Sequence, residues 1–300
     1  MNVEAYAKIN LSLDVLKKRE DGYHEVSMVM QSLALHDTIE IIKTDDGDIH
    51  IELTGLGDEE KGIPVDESNL IFKAAALMRE RYSIEDGLMF RLTKRIPHSA
   101  GLGGGSSDAA AVIRGLNEMF GLGLGLGQMM RLGKEIGADV PFCLMGGTAL
   151  AEGIGEELTR LKPVPACRVL LVKPEKGVST REVYELIDGA DRHFPRLPDT
   201  KKVCEAIENG SLKSLARSMG NIMESVTLRM LPEIDDIKKK MEELGALGAM
   251  MTGSGPTVFG LYSDPELLEK AYSYFAEEKR KGEMGIGSVI STEFYRIKGL

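Results

Sequence analysis

Apolar and polar residues alternate strictly over residues 3–15, with Val3, Ala5, Ala7, Ile9, Leu11, Leu13 and Val15 on one side and Glu4, Tyr6, Lys8, Asn10, Ser12 and Asp14 on the other. A period of two predicts a half-buried β-strand from whose polar face Lys8 and Asn10 project together. A turn at Glu20, Asp21 and Gly22 then leads into a second strand running from Tyr23 through Val26, Met28 and Met30. More strands are predicted over residues 38–43, 49–54 and 88–93, with an acidic, glycine-containing loop over 55–62. The spacing turns helical over 68–82, where Leu70, Ile71, Ala74, Leu77 and Met78 share one side and Ser68 is the expected cap.

Beyond residue 109 the pattern predicts a helix through Ala109, Ala110, Ala111 and Ile113, a short helix over 128–136, and strands over 146–151 and 156–161. The glycines of FGLGLGLGQ, residues 120–128, read as a helix end and connector. Lys162-Pro163-Val164-Pro165 is the expected domain boundary. A buried strand over 169–172 follows, then a helix opened by Ser179 or Thr180, and helical patterns over 201–208, 211–219, 222–230 and 232–244. Strands over 246–251 and 257–262, a helix over 265–279 and a strand over 288–296 complete the reading. Two α+β halves are expected, residues 1–161 and 162–300.

Candidate chemistry concentrates in residues 97–111, PHSAGLGGGSSDAAA, where four glycines and two serines lie within residues 101–107. Gly101, Gly103, Gly104 and Gly105 can turn several N–H groups toward one anion. Ser106, Ser107 and Asp108 are candidate N-caps of a helix whose dipole would face the same anion. A polyphosphate is the ligand this predicts. No lysine follows the glycines as a Walker A loop requires, and the H-R-D and D-F-G stations of protein kinases do not occur. A helical pattern also stands where a dinucleotide-binding loop would need its strand-borne acidic residue.

Composition narrows the picture. The 300 residues are 43% hydrophobic and carry a net charge of −10, with no basic cluster interleaved with aromatics, so neither nucleic acid nor an anionic membrane is an expected partner. Cys143, Cys167 and Cys204 lack metal-ligand spacing and read as buried thiols. With no targeting segment and no apolar run long enough to span a bilayer, a cytoplasmic location is expected.

Three stretches in order, AYAKINLSLDV (5–15), the glycine run with its upstream proline, and TGSGP (252–256), resemble the three motifs of the GHMP family of small-molecule kinases. The resemblance spans nearly the whole chain and implies a two-domain fold, with a ribosomal-protein-S5-like N-terminal domain that binds ATP and a ferredoxin-like C-terminal domain that contributes to the substrate site. It implies ATP and Mg²⁺, and a phosphate loop of Pro97, Ala100, Gly101, Leu102, Gly103, Gly104, Gly105, Ser106 and Ser107, with Thr252, Gly253, Ser254 and Gly255 near it. GADVPF, residues 137–142, matches the segment bearing the family's catalytic aspartate, so Asp139 and Lys8 are the implied catalytic pair. Gly22-Tyr23-His24 and the segment from Lys173 to Thr180 resemble members acting on a cytidine-diphosphate-linked polyol. That likeness implies a substrate site with Asn10, Tyr23, His24, Thr180 and Tyr184. No set of carboxylates at metal-ligand spacing is visible, so the Mg²⁺ ligands are unassigned, Ser107 or a neighbour being the candidate. Where the family reads N-D-x-E the chain has Asn221-Ile222-Met223-Glu224. A kinase for homoserine, mevalonate or a sugar is the alternative within the family, and a non-catalytic nucleotide-binding protein the alternative outside it.

Overall fold

A computed structural model describes residues 1–54, 62–188 and 197–295. Most of the acidic loop expected over 55–62, and Arg296 at the end of the last expected strand, lie outside the described residues. The chain forms two compact units, one of Met1–Lys8, Leu35–His98 and Gly103–Gly146, the other of Ile9–Ala34, Ser99–Leu102 and Gly147–Leu300. Residues 147–161 thus group with later residues, whereas the sequence division stood at 161.

In the first unit run the start of β1 (Asn2–Lys18) and the end of β2 (His24–Thr44), with β3 (Ile49–Leu53) and β4 (Gly87–Thr93) beside them in the order β3-β4-β2-β1. β4 pairs antiparallel to β2, Thr38 opposite Thr93, and β3 parallel to β4, Ile49 opposite Leu88. β2 is one strand of 21 residues, not the two shorter ones the pattern suggested. Among the described residues this unit has four helices: α1 (Leu70–Tyr82), α2 (Gly104–Met119), α3 (Leu126–Ile136) and α4 (Val140–Met145). Ile39, Ile41, Phe90 and Leu92 from the strands share one core with Ile71, Ala74 and Met78 of α1 and Ala109 to Ile113 of α2. The cap of α1 is Asn69, not Ser68: its Oδ1 accepts from Ile71 N at 2.8 Å, while Ser68 Oγ donates to Asp66.

The second unit holds the remainder of β1 and β2 with β5 (Thr148–Glu152), β6 (Glu157–Arg160) and the two-residue β8 (Gly220–Asn221), in the order β6-β5-β2-β1-β8. It also holds a four-stranded antiparallel sheet in the order β11 (Ile286–Glu293), β7 (Arg168–Pro174), β10 (Val258–Tyr262), β9 (Gly248–Met251). α9 (Glu233–Glu243) and α10 (Pro265–Lys281) pack on this sheet through Ile234, Ile237 and Met241 and through Leu268, Ala271 and Phe275. α5 (Thr180–Ile187), α6 (Thr200–Glu208), α7 (Leu212–Ser218) and α8 (Glu224–Met230) complete it. Helices on a largely antiparallel sheet are the α+β arrangement expected. Among the described residues no helix is long and apolar enough to cross a membrane.

Candidate active site

Through its middle, β1 is not half-buried. Lys8 is 5% exposed and Asn10 and Ser12 are fully buried, so the polar face is covered as well as the apolar one. An ammonium so enclosed needs a counter-charge, and Asp139 Oδ2 lies 3.5 Å from Lys8 Nζ. Asp139 stands just before α4 without capping it and keeps 30% of its side chain exposed. The Lys8 stem lies against Gly103: a Cβ there would sit 2.8 Å from Lys8 Cγ, on a backbone with φ of +69°. Two independent constraints, left-handed backbone and close approach, therefore require glycine at that position.

Gly103 is also the residue from which α2 starts. The helix begins at Gly104, ahead of the predicted caps, so Ser106, Ser107 and Asp108 are inside its first two turns. The N–H groups of Gly104, Gly105 and Ser106 have no acceptor within the helix, and the positive end of its dipole is there. Pro97, Ala100 and Leu102 are buried framework of the loop. Ser107 Oγ donates to the Tyr6 carbonyl and lies 3.5 Å from Cys143 Sγ, in a setting 1% exposed. It is committed to protein, which argues against it as a metal ligand. Cys143 itself is half-buried rather than buried; loss of solvent, then the Asp139 charge, pushes its thiol up to about 12. Among the described residues no group of three or more His, Cys, Asp or Glu could hold a metal. Magnesium needs no such cage, since it keeps its waters and binds through one or two carboxylates plus substrate phosphates; the half-exposed Asp139 fits that donor set.

Within the second unit, Gly101 and the 252–255 turn touch. A Cβ at Gly101, whose φ is +73°, would fall 2.3 Å from the Thr252 carbonyl oxygen. Thr252 Oγ1 accepts from Asn10 N at 3.1 Å and lies 3.4 Å from the Gly101 oxygen. Asn10 Nδ2 faces Met28 Sδ at 3.2 Å, and Asn10, expected to contact substrate, is fully buried. Thr180 Oγ1 and Ser254 Oγ are 2.8 Å apart, tying the start of α5 to the same turn. Gly253 and Gly255 both take positive φ in it.

Asn221 and Glu224 hold that turn from behind. Asn221 Nδ2 donates to the Met251 and Gly253 carbonyls at 2.9 and 2.8 Å, and its Oδ1 accepts from Met223 N. Glu224 accepts from Met251 N at 2.8 Å and from Lys238. The motif departure falls between them: Ile222 is 2% exposed, a place that suits an apolar side chain. Sequence reading gave these two residues no role, although their spacing in the motif was the available signal.

Of the residues expected to read a base, His24 and Tyr184 meet, with ring centroids 5.0 Å apart and planes inclined by 30°. Tyr23 is 60% exposed. Asp188, one helical turn beyond Tyr184, was not singled out; it lies 2.7 Å from His24 Nε2 and 2.6 Å from Lys18 Nζ. Hydrogen bonds from Lys18 and then His24 hold its carboxyl below the ordinary range. An ionised carboxylate only accepts, so the His24 proton sits on Nε2.

Comparison with known proteins gives one family. Residues 69–147 match the family described as GHMP kinases N terminal domain, and residues 203–281 match GHMP kinases C terminal. A protein of Caldicellulosiruptor saccharolyticus named 4-diphosphocytidyl-2-C-methyl-D-erythritol kinase is 47% identical over 88% of this chain and 89% of its own length. One of the same name from Lachnospira eligens is 47% identical over 94% of this chain and 95% of its own. A crystal structure of 4-(cytidine 5'-diphospho)-2C-methyl-D-erythritol kinase superposes with a TM-score of 0.79 at 30% identity, covering 99% of this chain and all of that one.

Proposed function

The chain belongs to the GHMP kinase family, and from that premise we propose that it transfers the γ-phosphoryl group of ATP to the C2 hydroxyl of 4-diphosphocytidyl-2-C-methyl-D-erythritol, a step in the non-mevalonate route to isoprenoid precursors. It is a small-molecule kinase, a phosphotransferase with an alcohol as acceptor. The observation that carries the mechanism is local to the first unit: one lysine, Lys8, touches both Gly103 at the head of α2 and the Asp139 carboxylate.

Phosphoryl transfer asks the protein for in-line positioning and charge neutralisation more than for covalent chemistry. The N–H groups at the start of α2 bind the ATP phosphates. Asp139 accepts the proton of the attacking hydroxyl, and the Lys8 ammonium beside it stabilises the developing alkoxide. A base so placed contributes on the order of 10²- to 10⁴-fold in rate. Asp139 is the side chain that would hold a magnesium ion on the protein side, and such an ion would supply further neutralisation of the phosphate oxygens. His24, fixed by Asp188, and the rings of Tyr23 and Tyr184 recognise the cytosine, for which stacking and a polar edge are the needed chemistry. Asn10 and Thr180 act through Thr252 and Ser254, shaping the turn and not touching substrate directly.

The test is ADP release with Mg-ATP from the purified protein, offered the cytidylyl polyol, homoserine, mevalonate, galactose or no acceptor. Turnover confined to the first is expected. Turnover with another acceptor would remove the cytosine reading and leave the kinase; turnover with none would remove both.

A further inference from the structure

Beneath the glycine loop lies a buried charged cluster that the mechanism above does not use. Lys94 leaves the end of β4 with 4% of its side chain exposed, and its Nζ contacts Asp37 Oδ2 of β2 at 2.5 Å and Asp108 Oδ2 of α2 at 2.9 Å. Asp37 is fully buried, and its other oxygen accepts from the N–H groups of Arg95 and Ile96 at 2.6 and 2.8 Å. The strand leading into the loop and the helix leading out of it are therefore fastened to one ammonium. That ammonium also abuts the helix start, since a Cβ on Gly104 would be 3.0 Å from Lys94 Nζ. Asp108 Oδ1 is buried with no hydrogen-bond partner.

We propose that Lys94, through Asp37 and Asp108, is a positioning residue for ATP: it fixes both ends of the 97–103 loop and so sets where the first N–H groups of α2 meet the phosphates. Hydrophobic side chains of similar volume would hold a fold as well as a buried ion pair does, often better. What a cluster of directed bonds adds is angular definition, and angular definition matters where N–H groups must converge on one anion. Two carboxylates against one ammonium is also an unfavourable balance for stability alone. Burial, opposed by the Lys94 charge, raises the Asp108 carboxyl above its ordinary range.

The inference rests on the loop being the phosphate cradle, and the experiment separates the two. Steady-state kinetics with ATP and the cytidylyl polyol varied in turn would be run on the wild type, Lys94→Met and Asp108→Asn, with a thermal melt of each. Lys94→Met is expected to raise KM for ATP about tenfold or more while leaving KM for the polyol within about twofold, since misplacement at a site of this kind is felt by the group it positions. A lower melting temperature with both KM values unchanged would overturn the proposal and leave the cluster a structural one. Should Lys94→Met not fold, Asp108→Asn, which keeps the shape and an oxygen for Lys94, is expected to raise KM for ATP several-fold, and an unchanged value would again overturn it. A wild type that shows no ATP-dependent turnover with any acceptor of the panel above would instead remove the phosphate-cradle reading itself.

Discussion

The enclosed Lys8 ammonium takes its counter-charge from Asp139 at 3.5 Å, and a carboxylate so paired yet 30% exposed is placed to reach a bound alcohol. Asp139→Asn keeps the shape and removes the carboxylate proposed as base, so kcat should fall on the order of 10²- to 10⁴-fold, read by steady-state kinetics. Asp108 gives a prediction of a different kind. Its folded pKa lies above the unfolded one because of burial, so the folded state binds more protons between the two values and stability falls as pH rises through that window. Asp108→Asn should therefore gain stability relative to the wild type between about pH 4 and about pH 7, measured by urea unfolding; a difference that is flat with pH would refute it. That Lys8 and Asp139 lie side by side was legible in the sequence through their motifs. The enclosure of Lys8, the commitment of Ser107 and the place of Asp108 were not, because each depends on which distant segment covers the residue: Tyr6 and Cys143 for Ser107, Asp37 and Lys94 for Asp108.

At the scale of elements, strand and helix types follow from periodicity, and what failed were starts and joins. β2 reads as two strands because Leu33, Ala34 and Leu35 interrupt the alternation, yet hydrogen bonding carries it unbroken from His24 to Thr44. α2 starts at Gly104 and not at the serines because Gly103, in the left-handed region, turns the chain without needing a side-chain cap. The 252–255 turn is a further case. Its shape is set by Asn221, three of whose hydrogen bonds reach backbone groups of other residues, two of them on the turn or its edge. Asn221→Ala would strand two carbonyls and an N–H in a buried place, at about 2–4 kcal/mol in total after partial relaxation. Denaturant unfolding should show that loss. Kinetics on the surviving folded fraction should show a raised KM for ATP, since Thr252 abuts Gly101 of the loop. Loss of stability with unchanged KM would confine the turn to a structural role.

Over the whole molecule the charge works against the ligand. Both substrates are polyanions, while the chain carries −10. Attraction must come from groups within a few ångströms of the phosphates, the helix N-terminus and Lys8, and the more distant field opposes approach. Salt screens distant charges first, with a Debye length of about 30 Å at 0.01 M shrinking to about 10 Å at 0.1 M. Raising ionic strength over that range should therefore remove more repulsion than attraction. The measurement is kcat/KM for ATP against added potassium chloride at fixed free magnesium, which should rise or hold level. A steep fall would mean that positive potential beyond the loop steers ATP inward, and that the local N–H groups and Lys8 are not the main source of attraction. Composition alone carried this argument as far as the sign of the field; that the attracting groups are few and close follows from where the fold puts them, with Lys8 enclosed against Gly103 and Lys94 held between two carboxylates.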